Sequence, residues 1–280
     1  MNYFQTLKFG SNRLKSRNIS THILDSEILL SFVLNLPREK ILINLDSNIK
    51  KSIFNDYKIL ISRRETKEPI ANIINKKEFW KNNFYINNDV LIPRPETEII
   101  VEELLKSTNG NSSKKILEIG TGSGCIVISI IKERANFYAT AIDISKKALN
   151  IAKINAKMHH LINKIKFINI DIDKIEDSKY DFIISNPPYI NKYDLRRLDK
   201  SIFSFEPHVA LEAGIDGLRE IRKIILKSKK LLKINGKLIF EIGNNQYIKI
   251  KKILNENGYY INKVIKVSSY PRVLITTKIN

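Results

Sequence analysis

Residues 180–190 read Tyr-Asp-Phe-Ile-Ile-Ser-Asn-Pro-Pro-Tyr-Ile, a short apolar run followed at once by two prolines. The consecutive apolar residues Phe182 to Ile184 are typical of a strand that is buried on both faces of a parallel sheet. Proline cannot donate a hydrogen bond to a neighbouring strand, so Pro187 and Pro188 end this strand and begin a stiff loop. Open α/β sheets bind their ligands beyond the carboxyl ends of their strands. We therefore expect the loop from Asn186 to Tyr189 to form part of a binding site.

The chemistry of this loop suits a planar group that carries an NH2. The Asn186 amide and the neighbouring backbone carbonyls supply acceptors in a fixed geometry, and Tyr189 supplies a flat face. A side-chain amide and the exocyclic amine of a base both have this shape. The alternatives are a polar turn or a proline-rich docking motif, but neither explains the preceding strand, and the order of residues is not PxxP.

A second motif reads as a strand, a tight turn and a helix. Lys115 to Ile119 is predicted to be a strand, residues 120–124 read Gly-Thr-Gly-Ser-Gly, and the apolar residues from Ile126 onwards begin a helix. The Gly-x-Gly-x-Gly spacing departs from the dinucleotide pattern, and the lysine of a phosphate loop is absent. Glu118 would repel a pyrophosphate, whereas it would attract the ammonium and sulfonium of S-adenosylmethionine. Asp143 ends the next predicted strand, the place for a carboxylate that accepts both ribose hydroxyls.

The chain is predicted to divide into three segments. Residues 1–68 show apolar residues at helical spacing and predict a small helical bundle for partner recognition. Residues 69–92 predict a β-hairpin linker that turns at Asn82 and Asn83. Residues 93–280 alternate strands and helices and end in a hairpin, which predicts an α/β, doubly wound sheet with an antiparallel edge.

Near the end of the chain we expect shorter elements. Residues 231–236 are predicted to hold a helix end and a turn, before a strand over Lys237 to Glu241. The last two strands are predicted over Val264 to Val267 and Arg272 to Thr277.

The bulk composition limits the class of protein. Of 280 residues, 48 are Lys or Arg and 29 are Asp or Glu, which gives a formal charge of +19 and points to an acidic partner. The lysines are spread along the whole chain, which is typical of a compositional bias rather than of one nucleic-acid-binding face.

Cys125 is the single cysteine, which excludes an internal disulfide and a cysteine-based metal cluster, so we expect no metal. Cys125 itself is either a thiolate nucleophile at a helix start or, as we prefer, a small packing residue. Neither a signal-like stretch from Met1 to Arg17 nor a membrane-length apolar run is present, and we expect a soluble, cytoplasmic protein.

With both motifs placed, the chain resembles the PrmC/HemK family, the peptide chain release factor N5-glutamine methyltransferases. The Asn-Pro-Pro-Tyr motif alone is shared with amino-group methyltransferases that act on DNA and RNA. The combination is more specific and covers nearly the whole chain. It comprises the helical N-terminal part and hairpin, Pro93 to Glu98, Glu118 to Gly124, Asp143, Asn186 to Tyr189, Phe205 to Pro207 through Gly217 and Leu218, and Arg272 with Val273.

The resemblance implies a seven-stranded, mostly parallel methyltransferase sheet, S-adenosyl-L-methionine as cofactor, and release factors as partners. It implies that Glu118 faces the methionine end, that Asp143 binds the ribose, and that Asp171 and Ile172 flank the adenine, with Ile172 where the family commonly has an aromatic residue. The implied cofactor-binding residues are Glu118, Gly120, Thr121, Gly122, Ser123, Gly124, Asp143, Asp171, Ile172 and Asn186. The implied catalytic residues are Asn186, Pro187 and Tyr189. The implied substrate-binding residues are Asn186, Pro187, Pro188, Tyr189, Arg94 and Glu98. The segment Ser269 to Arg272 lacks the glycine and acid that usually precede the arginine.

Three other functions stay open on the sequence. N5-glutamine methylation of a ribosomal protein would use the same motifs. An adenine-N6 DNA or RNA methyltransferase is favoured by the charge, although the sequence offers no separate target-recognition domain. A catalytically silent adaptor would bind ribosomal components through its basic surface, but the intact glycine turn argues against it. We expect a monomer.

Overall fold

The structure is a computed structural model that describes residues 1–108, 112–176 and 179–279. Its helices, in chain order, are α1 (Tyr3–Lys15), α2 (His22–Leu34), α3 (Arg38–Leu42), α4 (Lys51–Glu65), α5 (Ile70–Ile73), α6 (Glu98–Lys106), α7 (Cys125–Glu133), α8 (Lys146–Met158), α9 (Lys200–Phe205), α10 (Arg219–Leu231) and α11 (Tyr247–Glu256). Its strands are β1 (Lys76–Phe79), β2 (Asn82–Tyr85), β3 (Lys115–Ile119), β4 (Tyr138–Asp143), β5 (Ile165–Asn169), β6 (Tyr180–Ser185), β7 (Leu232–Glu241), β8 (Tyr259–Val267) and β9 (Tyr270–Lys278). Within the described residues, none of these helices combines the length and the apolar character needed to cross a membrane.

The chain forms two compact units. One comprises Met1–Lys76 together with Lys200–Phe205, and the other comprises Lys77–Asp199 together with Glu206–Asn280. The first unit thus extends into residues 69–92, where α5 and the start of β1 lie. The predicted division into bundle, linker and sheet domain stays a prediction.

The helical unit is built on close contact between α1, α2 and α4. A Cβ atom added at Gly10 of α1 would lie 2.0 Å from the Tyr57 hydroxyl oxygen of α4, so only glycine allows this approach. Tyr57 is fully buried, and its hydroxyl shares a hydrogen bond of 2.7 Å with the Ser26 hydroxyl of α2. A polar contact therefore joins the two helices inside an apolar core that includes Leu29 and Ile61.

The second unit contains a seven-stranded sheet in the order β5-β4-β3-β6-β7-β9-β8. The strands from β5 to β7 in this order are parallel, and β9 pairs antiparallel with both β7 and β8. Alternate residues of the strands fill two apolar clusters, one shared with α6, α7 and α8 and the other with α10 and α11. Helices therefore cover both faces, and the predicted doubly wound, mostly parallel sheet with a terminal antiparallel hairpin is confirmed.

The strand register aligns the carboxyl ends of the central strands. Ile119 of β3 lies opposite Ile142 of β4 and Ser185 of β6, and Ser185 lies opposite Phe240 of β7. One edge of the sheet therefore carries the residues that follow these four: Gly120, Asp143, Asn186 and Glu241.

The hairpin turns at a different place from the one predicted. The turn residues are Trp80 and Lys81, both with positive φ (46° and 61°), whereas Asn82 and Asn83 begin β2. This register buries Phe79 and Phe84 together, in an edge-to-face contact of 6.2 Å. The burial of two rings outweighs the turn preference of the asparagines.

Strand β7 also begins earlier than predicted, at Leu232 instead of Lys237. Leu232 is fully buried and pairs with Tyr180, and a register shift follows before the next pair. Asn235 takes a left-handed φ of 60°, which asparagine tolerates, so the predicted turn becomes an irregularity within the strand. The final hairpin is longer than predicted as well, since β8 begins at Tyr259.

Candidate active site

A pocket of about 170 Å³ opens at the carboxyl edge of the sheet. Ten of the residues that the sequence singled out line it, and they come from five separate stretches of chain: Arg94, Gly120, Thr121, Gly122, Ser123, Asp143, Asp171, Ile172, Asn186 and Pro187. Pro188 and the unpredicted Thr97 line it too. Among the described residues, four other predicted site residues do not belong to this lining: Glu118, Gly124, Tyr189 and Glu98.

The glycine turn connects β3 to α7 and faces the open pocket. Gly120 and Gly122 have φ values of 70° and 55°, and a Cβ atom added at either would meet no atom within 4 Å. The positive φ favours glycine at both positions, and the absence of a side chain leaves the backbone of the turn exposed to the pocket. Gly124, with φ of 79°, differs because its added Cβ would lie 3.2 Å from the Ala152 Cβ. It therefore also allows α7 and α8 to pack closely.

Glu118 is a fully buried carboxylate directly beneath this turn. Its Oε2 accepts a hydrogen bond from the Thr121 hydroxyl, and among the described residues its Oε1 has no hydrogen-bond partner. Burial raises the pKa of Glu118 to about 8, and the nearby Asp143 adds to the rise while the Thr121 hydroxyl opposes it. A buried acceptor without a partner is costly, so this atom suits a ligand that brings a cationic donor.

Asp143 is held by two backbone N–H groups. Its Oδ2 accepts from Gly122 N at 2.9 Å, and its Oδ1 accepts from Ser145 N at 2.8 Å. Burial raises the pKa of Asp143, and these N–H groups oppose the rise. Each oxygen keeps a further lone pair, so this fixed carboxylate can accept two neighbouring hydroxyls.

Asp171 and Ile172 form the far wall of the pocket. Asp171 caps a short 3-10 helix by accepting from Asp173 N at 2.9 Å, and this bond chiefly holds its pKa below the ordinary value. Ile172 is buried and packs in the apolar cluster beneath the sheet edge. The wall therefore offers an aliphatic surface with a carboxylate beside it.

The loop after β6 is tied to three side chains that the sequence did not single out. Asn186 Nδ2 donates to Thr97 Oγ1 at 3.0 Å, and Tyr189 OH donates to Glu241 Oε1 at 3.2 Å. Thr97 in turn donates to Glu241 Oε2 at 2.7 Å. The Tyr189 carbonyl accepts from Gln246 Nε2 at 2.9 Å, so the loop is held at both its ends. The only sequence signal for Glu241 was its place at the end of a predicted strand.

The two predicted substrate residues Arg94, which precedes α6, and Glu98, which begins it, have partners inside the protein. Arg94 forms an ion pair of 2.5 Å with the buried Glu206, whose other oxygen accepts from Ile92 N. Glu98 accepts from Trp80 N at 2.8 Å and thereby fixes the hairpin turn. Arg94 remains at the pocket wall, whereas the structure places Glu98 at the hairpin.

Cys125 is buried at the start of α7, and burial raises the pKa of its thiol to about 12. A thiol that stays protonated at neutral pH is a weak nucleophile, which agrees with a packing role.

Comparison with known proteins identifies the family. The model described as the PrmC N-terminal domain matches residues 5–74, and the one described as the Methyltransferase small domain matches residues 95–203. The release factor glutamine methyltransferase of Clostridium acetobutylicum is 37% identical over 88% of this chain and 87% of its own length. The chain belongs to the release factor glutamine methyltransferase family. The member from Buchnera aphidicola is also 37% identical, over 94% of this chain and 92% of its own length. The family resemblance predicted from the motifs is confirmed.

Other relatives are longer than this chain. The bifunctional methyltransferase of Rickettsia felis is 37% identical over 99% of the chain, but the chain spans only 58% of that relative's length. Among solved structures, a methyltransferase from Pyrococcus furiosus has a TM-score of 0.53 at 20% identity and covers 80% of this chain and 98% of its own. A ribosomal protein L11 methylase from Lactobacillus delbrueckii subsp. bulgaricus has a TM-score of 0.52 at 19% identity and covers 70% of this chain and 84% of its own. These two structures share the fold.

Proposed function

We propose that this protein transfers the methyl group of S-adenosylmethionine to the side-chain nitrogen of a glutamine in a peptide chain release factor. The observation that carries the proposal is that Asn186 and Pro187 line the same pocket as the glycine turn and Asp143. The groups suited to an NH2 thus lie beside the groups suited to the cofactor. The names of the relatives from Clostridium acetobutylicum and Buchnera aphidicola support this substrate.

The residues of the pocket fit the cofactor. Glu118 has a buried oxygen without a partner among the described residues, which suits the cationic methionine end. Asp143 would accept the ribose hydroxyls, and Asp171 with Ile172 would hold the adenine. When bound, S-adenosylmethionine supplies an electrophilic methyl group on a sulfonium.

The task of the protein is to hold a weak nucleophile. The lone pair of a glutamine side-chain nitrogen is delocalised into its carbonyl, so the nitrogen reacts only if it is aligned and kept from water. The Asn186 side-chain oxygen and the Pro187 carbonyl would accept its two N–H bonds. Tyr189 lies outside the lining of the pocket and would support the amide indirectly, by holding the loop through its bond to Glu241. Fixed acceptors favour the positive charge that grows on the nitrogen during transfer. A strong base is unnecessary before transfer, because the nitrogen becomes acidic only as it is alkylated.

The helical unit would select the partner, and the sheet unit would carry the chemistry. A release factor acts in translation, so the proposed encounter is cytoplasmic. We further propose that the protein acts as a monomer and that nucleic acid is not its substrate.

The test offers labelled S-adenosylmethionine with purified release factor, ribosomal proteins or DNA in separate reactions. The expected result is label on the release factor, mapped by peptide mass spectrometry to a glutamine side chain. Asn186→Ala is the matched negative control for contaminating enzymes. Label only on ribosomal protein or only on DNA would overturn the proposal.

A further inference from the structure

A line of hydrogen bonds runs from Asn186 to a buried carboxylate. Asn186 Nδ2 donates to Thr97 Oγ1, Thr97 Oγ1 donates to Glu241 Oε2, and Tyr189 OH donates to Glu241 Oε1, at 3.0, 2.7 and 3.2 Å. Thr97 and Glu241 are each 2% exposed. Water is therefore largely excluded from the middle of this line, and its members must satisfy one another.

While Glu241 is ionised, the donor and the acceptor of each hydrogen bond in this line are fixed. A carboxylate has no hydrogen to donate, so Glu241 can only accept from Thr97 and Tyr189. The single hydrogen of the Thr97 hydroxyl is then committed to Glu241, and the Thr97 oxygen can only accept from the Asn186 NH2. The Asn186 oxygen is thereby left as the end of the amide that meets the pocket.

We propose that Thr97 and Glu241 are positioning residues that fix which end of the Asn186 amide faces the substrate, an inference that rests on the proposed glutamine methylation. In the opposite orientation Asn186 would present its NH2 to the NH2 of the substrate, and two donors cannot bond. Asparagine can take either orientation at little intrinsic cost, so the direction must come from its neighbours. Both would act through Asn186, to which Thr97 is bonded directly and Glu241 through Thr97.

The charges around Glu241 determine when this control operates. Arg272 and Tyr189 face it from β9 and the loop after β6, while Glu96 and Thr97 face it from the segment before α6. Burial raises the pKa of Glu241, Glu96 adds to the rise, and Arg272 with the two hydroxyl donors opposes it. A protonated Glu241 carries a hydrogen and can donate to Thr97, which allows the reversed line. Turnover should therefore fall as the pH falls through the pKa of Glu241.

The experiment compares full-length variants in single-turnover methylation of release factor. Thr97→Val keeps the shape but removes the hydroxyl, and it should lower turnover roughly tenfold or more with little change in cofactor affinity. Thr97→Ser restores the hydroxyl and should recover most of the lost rate. Thr276→Val is the matched control, because the buried Thr276 hydroxyl donates to the Leu238 carbonyl at 3.2 Å, away from the pocket. It should keep the wild-type rate.

The fall in turnover at low pH, the acid limb of the rate profile, distinguishes a positioning role of Thr97 and Glu241 from a purely structural one. It should be present in the wild type and absent in Thr97→Val, because that variant disconnects Asn186 from Glu241. Adding Glu241→Gln to Thr97→Val should cause little further loss in turnover, since the two residues act through one line. A Thr97→Val variant with the wild-type rate and the wild-type acid limb would overturn the inference.

A measurement that needs no substrate distinguishes failure of the positioning role from failure of the proposed function. If the wild type does not methylate release factor, the side-chain NH2 signals of Asn186 in ¹⁵N-labelled protein still report the line. These signals, assigned by their loss in Asn186→Asp, should shift with the ionisation of Glu241 in the wild type and stop doing so in Thr97→Val. Signals that follow pH identically in both proteins would refute the positioning role.

Discussion

Replacing Glu118 by glutamine should stabilise the ligand-free protein and weaken cofactor binding at the same time. The substitution keeps the size of the side chain and an acceptor for the Thr121 hydroxyl, but it removes the charge that burial disfavours. The Glu118 carboxylate would thus lower the stability of the ligand-free protein and at the same time strengthen cofactor binding.

The magnitude follows from the pKa of Glu118, which burial raises from 4.5 to about 8. The folded pKa exceeds the unfolded one, so the contribution of this carboxyl to stability is fully present below pH 4.5 and is lost as the pH rises to about 8. Three pH units at 1.36 kcal/mol each bound the loss between pH 5 and pH 8 at about 4 kcal/mol. For a chain of this size that corresponds to a change of several degrees in Tm.

The assay is thermal unfolding of wild type and Glu118→Gln from pH 5 to pH 8 without ligand. The Tm of the variant minus that of the wild type should increase steadily with pH, whatever constant offset the amide introduces. Glu103→Gln is the control, because the buried Glu103 carboxylate accepts two bonds of 2.9 Å from Lys263, and its loss should not stabilise the protein at any pH. A Glu118→Gln difference that stays constant across this range would refute the reasoning.

Calorimetry with S-adenosylmethionine supplies the second half of the test. The wild type should gain affinity relative to Glu118→Gln as the pH rises towards 8, since a cationic ligand prefers the ionised carboxylate. Both proteins meet the same ligand, so the comparison cancels the ionisation of the ligand itself. Equal affinities at pH 8 would show that Glu118 does not face the cationic end.

Three further outcomes are expected. Asp143→Ala should weaken S-adenosylmethionine binding more than tenfold, because each lost charge-assisted ribose bond contributes about 1.5 to 3 kcal/mol; unchanged calorimetric affinity would show that the ribose assignment is wrong. Asn186→Ala should lower single-turnover methylation roughly a hundredfold with cofactor binding retained, whereas Asn186→Asp keeps an acceptor and should be milder; a wild-type rate in the alanine variant would reduce the loop to a structural turn. Gly10→Ala should destabilise the helical unit by about 1 to 3 kcal/mol, since its Cβ would lie 2.0 Å from the Tyr57 hydroxyl oxygen. In denaturant unfolding the loss should shrink in a Tyr57→Phe background without vanishing, because the added Cβ would still lie 2.9 Å from Ile61 Cδ1; an equal loss there would show that the hydroxyl contact is not its main cause.

The parts of the site that the sequence predicts are those whose chemistry is local. The glycine turn, Asp143 and the Asn186 loop each follow a predicted strand directly, and strand ends of a parallel sheet share one edge. Their assembly around one pocket follows from the alternation of strands and helices. Fold and pocket could therefore be inferred together.

The parts that escaped prediction depend on register and on distant partners. The turn at Trp80 and Lys81 is decided by the burial of two rings, and the early start of β7 is decided by a pairing with Tyr180, far away in the chain. Thr97 stood in a motif whose proline and acids already had an ordinary explanation as helix capping. Its contact with Glu241 spans 144 positions, which no local pattern encodes.

The strand order also explains the electrostatics of the site. Strand β6, which ends at Asn186, lies between β3 and β7, and each of these neighbours buries a glutamate near its carboxyl end. Glu118 and Glu241 both have pKa values raised by burial, so each lowers the stability of the ligand-free protein above its ordinary pKa. Methyl transfer from a sulfonium to an amide keeps a positive charge in the pocket throughout, first on sulfur and then on nitrogen. Two carboxylates fixed on either side of β6 favour that charge at both positions, whereas acids on loops would be solvated and screened. A strand order that moved β3 or β7 away from β6 would separate its glutamate from Asn186 even if every motif were kept, so the adjacency β3-β6-β7 is itself a requirement of the proposed chemistry.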